Sequence, residues 1–132
     1  MKQLEKITYV EDDRDIRALA EIVLSDIAGF TVHVCESGEM AVAGAADFGP
    51  DMIILDVMMP GMDGLETFRR LREFDSLKHT PVVFMTAKAQ TQEVEQYLGM
   101  GAVDVIVKPF DPSTLPDRIN GIWNSLKSEA AE

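Results

Sequence analysis

Residues 7–29 read ITYVEDDRDIRALAEIVLSDIAG, and the change of period inside this stretch decides the fold. It opens on the short apolar run Ile7–Val10, of strand rather than helix length. It then passes to Ile16, Leu19, Ala20, Val23, Leu24 and Ile27, which share one face of a helix, with Gly29 well placed to stop it. A strand followed by a helix is the reading, and the pattern recurs. Thr31–Cys35, Met52–Leu55, Val82–Met85 and Val103–Val107 are further short apolar runs. Only Thr31–Cys35 alternates; the others read as strands buried on both faces, the signature of a parallel sheet. Between and after them lie an Ala-rich segment at Met40–Asp47, and a helix with Leu65, Phe68 and Leu71 inward and Arg69, Arg70 and Arg72 outward. A polar segment follows at Thr91–Met100, then a stripe of Leu115, Ile119, Ile122, Trp123 and Leu126. Five β-α units predict an α/β domain with helices on both faces of the sheet.

The chain of 132 residues is the size of one domain, with a core expected over about 5–126 and a loose tail at 127–132. Its net charge of −11 argues against tracking nucleic-acid phosphates or resting on anionic lipid. The single Cys35 can form neither an internal disulfide nor a thiolate metal cage, which fits a reducing compartment. No run approaches the roughly 18 apolar residues of a membrane span. The opening MKQLEKITYVEDD turns acidic where a secretion signal needs an apolar stretch. A cytoplasmic location is the expectation.

Ligands of open α/β sheets bind beyond the carboxyl ends of the strands. There the sequence places Glu11-Asp12-Asp13, Asp56, Thr86-Ala87 and Lys108-Pro109; the second strand ends in Glu36-Ser37 and offers little. Two carboxylates about 4 Å apart repel by about 4 kcal/mol at an effective dielectric of about 20. A cluster of acids from neighbouring strands therefore needs a cation or a proton. An all-oxygen site with few carboxylates suits Mg²⁺. With the Lys108 ammonium and Thr86 hydroxyl it would suit a phosphoryl group, and a carboxylate can itself be the nucleophile. Singly, each residue has a plainer reading. Asp13 or Asp15 can cap a helix, Thr86 can be a strand-end hydroxyl, and Lys108 can be a solvated lysine. Met58, Met59 and Met62 can be packing residues or an adaptable surface.

The motifs Tyr9-Val-Glu-Asp-Asp13, Leu55-Asp-Val-Met-Met-Pro-Gly-Met-Asp-Gly64, Phe84-Met-Thr-Ala87 and Val107-Lys-Pro-Phe110 resemble a response regulator receiver domain of two-component signalling. The successive spacings, 44 residues from Asp12 to Asp56, 30 from Asp56 to Thr86 and 22 from Thr86 to Lys108, match that family, and the likeness runs from about Ile7 to Leu126. The resemblance implies a flavodoxin-like, doubly wound five-stranded parallel sheet of order 2-1-3-4-5 with five helices. It implies Asp56 as phosphoacceptor, and Mg²⁺ held by Asp12, Glu11, Asp56 and the carbonyl of Met58. It further implies Thr86 as the switch hydroxyl, Lys108 as its phosphoryl-pairing partner, and a cis Lys108–Pro109 bond. The phosphoryl donor would be a sensor histidine kinase or a histidine phosphotransfer protein, and the output an unspecified protein target. The domain would catalyse only its own phosphorylation and dephosphorylation. Met58 and Lys88 flank the site and are expected to tune the phosphoryl lifetime.

One position departs from the family. Val105 stands where an aromatic ring usually turns inward, and a β-branched side chain has no ring to swing. Of the paired charges that many receivers use to dimerise, only Asp104 and Arg118 are evident, so a monomer or weak dimer is expected. The short tail and Met1 favour a stand-alone regulator. The other chemistry considered is an aspartate-nucleophile Mg²⁺ phosphatase, for which Asp13-Arg14-Asp15 has the spacing but lies a residue late. A flavin module would need a glycine- and hydroxyl-rich loop where Glu11-Asp12-Asp13 stands.

Overall fold

The computed structural model describes residues 2–131, with side chains for 2–129. In chain order the strands are β1 (Lys6–Val10), β2 (Thr31–Cys35), β3 (Met52–Asp56), β4 (Val82–Thr86) and β5 (Asp104–Val107). The helices are α1 (Arg14–Glu21, continued by a wider π-helical stretch Ile22–Ile27), α2 (Gly38–Phe48), α3 (Gly64–Leu71), α4 (Thr91–Met100) and α5 (Leu115–Ala131). All strand pairs are parallel, in the order β2-β1-β3-β4-β5. Every residue of the inner strands β3 and β4 is buried, as runs without alternation require. In β2, at the edge, only Cys35 is buried.

Alternate positions along the strands feed two cores. Ile7, Tyr9, Ile54, Val83, Met85 and Ile106 pack with Leu24 of the α1 continuation and Ile119 and Trp123 of α5. Val10, Ile53, Leu55, Val82, Phe84 and Val105 pack with Ala41 and Ala45 of α2, Phe68 and Leu71 of α3, and Tyr97 of α4. Local chemistry starts the helices: Asp13, Ser37 and Asp63 cap α1, α2 and α3, and Gln90 and Glu93 form a capping box on α4.

Four expectations need correction. Ile27 belongs to the sequence stripe yet is 71% exposed. The π turn, closed by Ala28 N–H donating to the Val23 carbonyl, shifts the phase so that Ala28 packs on the core instead. Arg72 does not face outward. Its guanidinium donates to the carbonyls of Leu77 and Thr80, both at 2.7 Å, and lies over the Phe68 ring, fastening the loop before β4. The fifth strand starts at Asp104 rather than Val103. Residues expected as a loose tail from Lys127 continue α5 as far as Ala131, while Glu132 lies outside the described residues.

Gly64 opens α3 where its Cα faces the backbone of Asp56 and Val57, so a Cβ there would collide with the Asp56 carbonyl oxygen. By contrast, a Cβ on Gly99 of α4 would meet open space. Gly64→Ala is expected to lower stability by about 2 kcal/mol because backbone must move. Gly99→Ala should be neutral or raise it by up to about 1 kcal/mol through helix propensity. Urea unfolding of the two variants checks the contrast.

Candidate functional site

The register of the parallel strands sets the site. Val10 lies opposite Leu55, Asp56 opposite Met85, and Thr86 opposite Val107, so the groups that end these strands come level at one edge. Glu11, just past β1, is 1% exposed, and Asp56, the last residue of β3, is 2% exposed. Thr86 ends β4 fully buried. Lys108 follows β5, and its N–H donates to the Thr86 carbonyl at 2.9 Å. The Lys108–Pro109 peptide is cis.

Lys108 Nζ stands 2.7 Å from Glu11 Oε1 and 3.2 Å from Asp56 Oδ2. Two buried carboxylates thus share one ammonium. The contact is one of charge and distance, since neither oxygen has an aligned hydrogen-bond donor. Burial first, and then the charge of Glu11, push the Asp56 carboxyl up to about 7, with Lys108 pulling the other way. Burial would lower the Lys108 pKa, but Glu11 and Asp56 outweigh it and hold it raised. Tyr9 lies buried nearby, its phenol donating weakly to Met85 Sδ at 3.7 Å. Burial and the charges of Glu11 and Asp56 keep it protonated.

Exposed Asp12 completes an acidic group: Glu11, Asp12 and Asp56 each offer an oxygen within 4.8 Å of the others. Two of these residues carry buried oxygens without a directed donor. Hard anionic oxygens with unused lone pairs fit a small divalent cation such as Mg²⁺. Met58, expected as a carbonyl ligand, is 60% exposed on the loop after β3, and its N–H donates to Asp56 Oδ1 at 3.3 Å. Asp13 stands outside the group. Its carboxylate accepts from Asp15 and Ile16 N–H as the cap of α1, which occupies the aspartate that a phosphatase arrangement would need.

Sequence reasoning missed two groups here. Arg17 donates to the carbonyls of Glu11 and Asp12, at 3.0 and 3.2 Å, and so holds the acidic loop in shape. Its place one turn beyond the cap Asp13 is the signal that could have shown it. Tyr97 of α4 donates to the carbonyl of Lys88 at 3.0 Å, and nothing local in the sequence marks that contact.

Comparison with known families matches the response regulator receiver domain over residues 7–120. The chain belongs to this family. As a receiver domain of two-component response regulators it is a component of phosphorelay signalling. Similar proteins include the DNA-binding response regulator MtrA of Mycolicibacterium smegmatis, 34% identical over 128 residues, covering 97% of the receiver and 54% of MtrA. The regulatory protein AtoC of Escherichia coli K12 is 32% identical over 111 residues, covering 84% of the receiver and 23% of AtoC. The receiver thus spans from just under a quarter to just over half of the length of these relatives. Among solved structures, the chemotaxis protein CheY4 of Vibrio cholerae superposes with a TM-score of 0.84 at 32% identity, covering 90% of this chain and 98% of that one. The receiver domain of the sensor histidine kinase PA1611 of Pseudomonas aeruginosa, solved with a magnesium ion coordinated in its active-site cleft, gives 0.79 at 29% identity, covering 90% and 96%. Among the described residues, no helix is long and apolar enough to cross a membrane.

Because the folded-state pKa of Asp56 lies above its ordinary value of 3.8, ionising it costs stability. The cost is absent well below the ordinary value and full above about 7. Without divalent cations, Asp56→Asn should therefore raise the unfolding free energy at pH 8 by about 1–2 kcal/mol, and the gain should shrink as the pH falls toward 4. Added Mg²⁺ should stabilise the wild type more than the variant. Urea titrations over pH with and without Mg²⁺ measure both effects.

Proposed function

We propose that Asp56 accepts a phosphoryl group from a phosphohistidine on a sensor histidine kinase or a histidine phosphotransfer protein. The observation that carries this is the single Lys108 ammonium set between two buried carboxylates, Glu11 and Asp56. An Asp56 oxygen attacks phosphorus, the phosphorus–nitrogen bond of the donor breaks, and the imidazole leaves with the bonding pair. Lys108 lies where it can share its charge with the oxygens of the transferring group. The Thr86 hydroxyl, one strand away, can donate to one of those oxygens. Water later cleaves the acyl phosphate and restores Asp56. The domain turns over no free metabolite.

Asp12, Glu11, Asp56 and the Met58 carbonyl would hold Mg²⁺, which when bound neutralises negative charge on the phosphoryl oxygens. Asp12, exposed and free of Lys108, suits direct ligation; Glu11, already engaged by Lys108, suits contact through water. The magnesium recorded in the PA1611 receiver domain supports this assignment.

Phosphorylation adds about −1.5 to −2 charges beside Lys108 and alters the binding face presented to a downstream protein. A net charge of −11 supports a protein rather than a nucleic acid as that direct partner, and fits work in the cytoplasm, away from a membrane surface. Arg118 forms a two-pronged bridge to Asp104 within the chain, at 3.0 and 3.2 Å, and also donates to the Val105 carbonyl. With those charges engaged internally, the domain works as a monomer or weak dimer.

Wild type incubated with acetyl phosphate and Mg²⁺ should gain one phosphoryl mass, and Asp56→Ala none. Lys108→Ala should slow the gain by about a hundredfold, the loss typical of one electrostatic partner. Mass spectrometry reads all three. Steady phosphate release from a small phosphomonoester would instead favour the phosphatase reading.

A further inference from the structure

The loop after β4 is tied at two consecutive points. The Thr86 hydroxyl accepts from Lys88 N–H at 2.9 Å, and the Lys88 carbonyl accepts from the Tyr97 phenol at 3.0 Å. Tyr97 is 3% exposed, and its hydrogen bond to Lys88 is partly buried. Its ring stands edge-on to Phe84 of β4 at 5.4 Å, and Phe84 in turn to Phe68 of α3 at 5.5 Å. Burial, and then the charge of Glu93, raise the Tyr97 phenol above the usual tyrosine range, with Lys88 and the Thr86 side chain pulling the other way. A second tether runs in parallel, with Lys88 Nζ 3.5 Å from Glu93 Oε2, but its lysine is 64% exposed. An exposed pair of that kind contributes little.

We infer that Tyr97 is a positioning residue, through which movement of the Thr86 hydroxyl toward a phosphoryl group on Asp56 passes by way of the Lys88 peptide to helix α4. The inference rests on the phosphoacceptor reading above and supplies a route that Val105 cannot. When the Thr86 hydroxyl turns to donate to a phosphoryl oxygen, the Lys88 N–H either follows it or loses its acceptor. Either event turns the Lys88 backbone, whose N–H and carbonyl lie in two adjoining planar peptide units hinged at the Lys88 Cα, and so moves the Lys88 carbonyl. Tyr97 then follows that carbonyl or releases it. Anchored between Phe84 and the α4 backbone, the ring converts the choice into a displacement of the helix.

Amide hydrogen exchange over residues 87–100, with and without beryllofluoride and Mg²⁺, tests this on the whole chain. Beryllofluoride mimics the acyl phosphate. Wild type should change exchange in α4 by about fivefold or more. Tyr97→Phe, which removes only the hydroxyl, should still bind beryllofluoride and respond near Thr86, with the α4 response reduced below about twofold. Lys88→Ala keeps the carbonyl and should retain the α4 response. An undiminished response in Tyr97→Phe, or its loss in Lys88→Ala, overturns the inference and leaves the phosphoacceptor reading standing. Failure of wild type to bind beryllofluoride overturns both. Fluorine NMR of the fluorotyrosine-labelled wild type, whose two tyrosine signals are assigned by the one missing in Tyr97→Phe, gives a second test. The Tyr97 signal should shift on beryllofluoride addition, and an unmoved signal sinks the inference.

Discussion

Two carboxylates withdrawn from water must share one ammonium, and much of this molecule is arranged to make that tolerable. Glu11 and Asp56 are nearly inaccessible, and Lys108 Nζ lies within 3.2 Å of an oxygen on each. A buried charge without a partner would cost several kcal/mol, and a lone pair without a donor adds to that cost. Compensation here is incomplete, because the two oxygens nearest Lys108 lack aligned donors. The deficit leaves Asp56 hard to ionise in the absence of a cation. It also creates appetite for a divalent ion or for added hydrogen-bond donors. A site that were fully satisfied at rest would have no reason to respond to either.

Holding the three groups together falls to elements far apart in sequence. Parallel pairing of β1 with β3, β3 with β4 and β4 with β5 brings the strand ends level. Backbone contacts then shape the loops: Arg17 braces the carbonyls of Glu11 and Asp12, and Gly64 lets α3 begin against the Asp56 peptide. On the opposite flank, Thr86, Lys88 and Tyr97 form a chain of hydrogen bonds from the strand end to α4. The braced side of the site lies toward β1 and α3. Toward α4 the entry loop is held by the Lys88 N–H bond to the Thr86 hydroxyl and the Tyr97 bond to the Lys88 carbonyl.

The two period changes, apolar runs of four or five residues and helical stripes between them, sufficed to read five β-α units. They sufficed because a strand buried on both faces leaves a continuous apolar signature. The acids, hydroxyl and ammonium at the strand ends were legible too, since a topological rule places strand ends at the ligand side of such sheets. Errors arose where a single residue's direction depends on packing. Ile27 follows the helical period but the π turn rotates it outward, and Arg72 follows the pattern of a surface arginine but closes a loop. Both contacts are close in sequence, Ala28 to Val23 and Arg72 to Leu77 and Thr80, but they are made to backbone carbonyls, which residue type does not reveal.

By itself, then, the sequence determined the class of fold, the strand-end residues and the need of those residues for positive charge. Periodicity and residue chemistry are local properties, and a single chain carries them openly. Tertiary structure decided how the charges are shared. Register brings Lys108 between Glu11 and Asp56 and leaves Asp12 outside that pairing. It also decided that Tyr97 reaches Lys88, a contact across nine residues that closes only when α4 folds back on β4. Distances between groups on different elements are set by packing, and the pKa of Asp56 and the route from Thr86 to α4 follow from those distances.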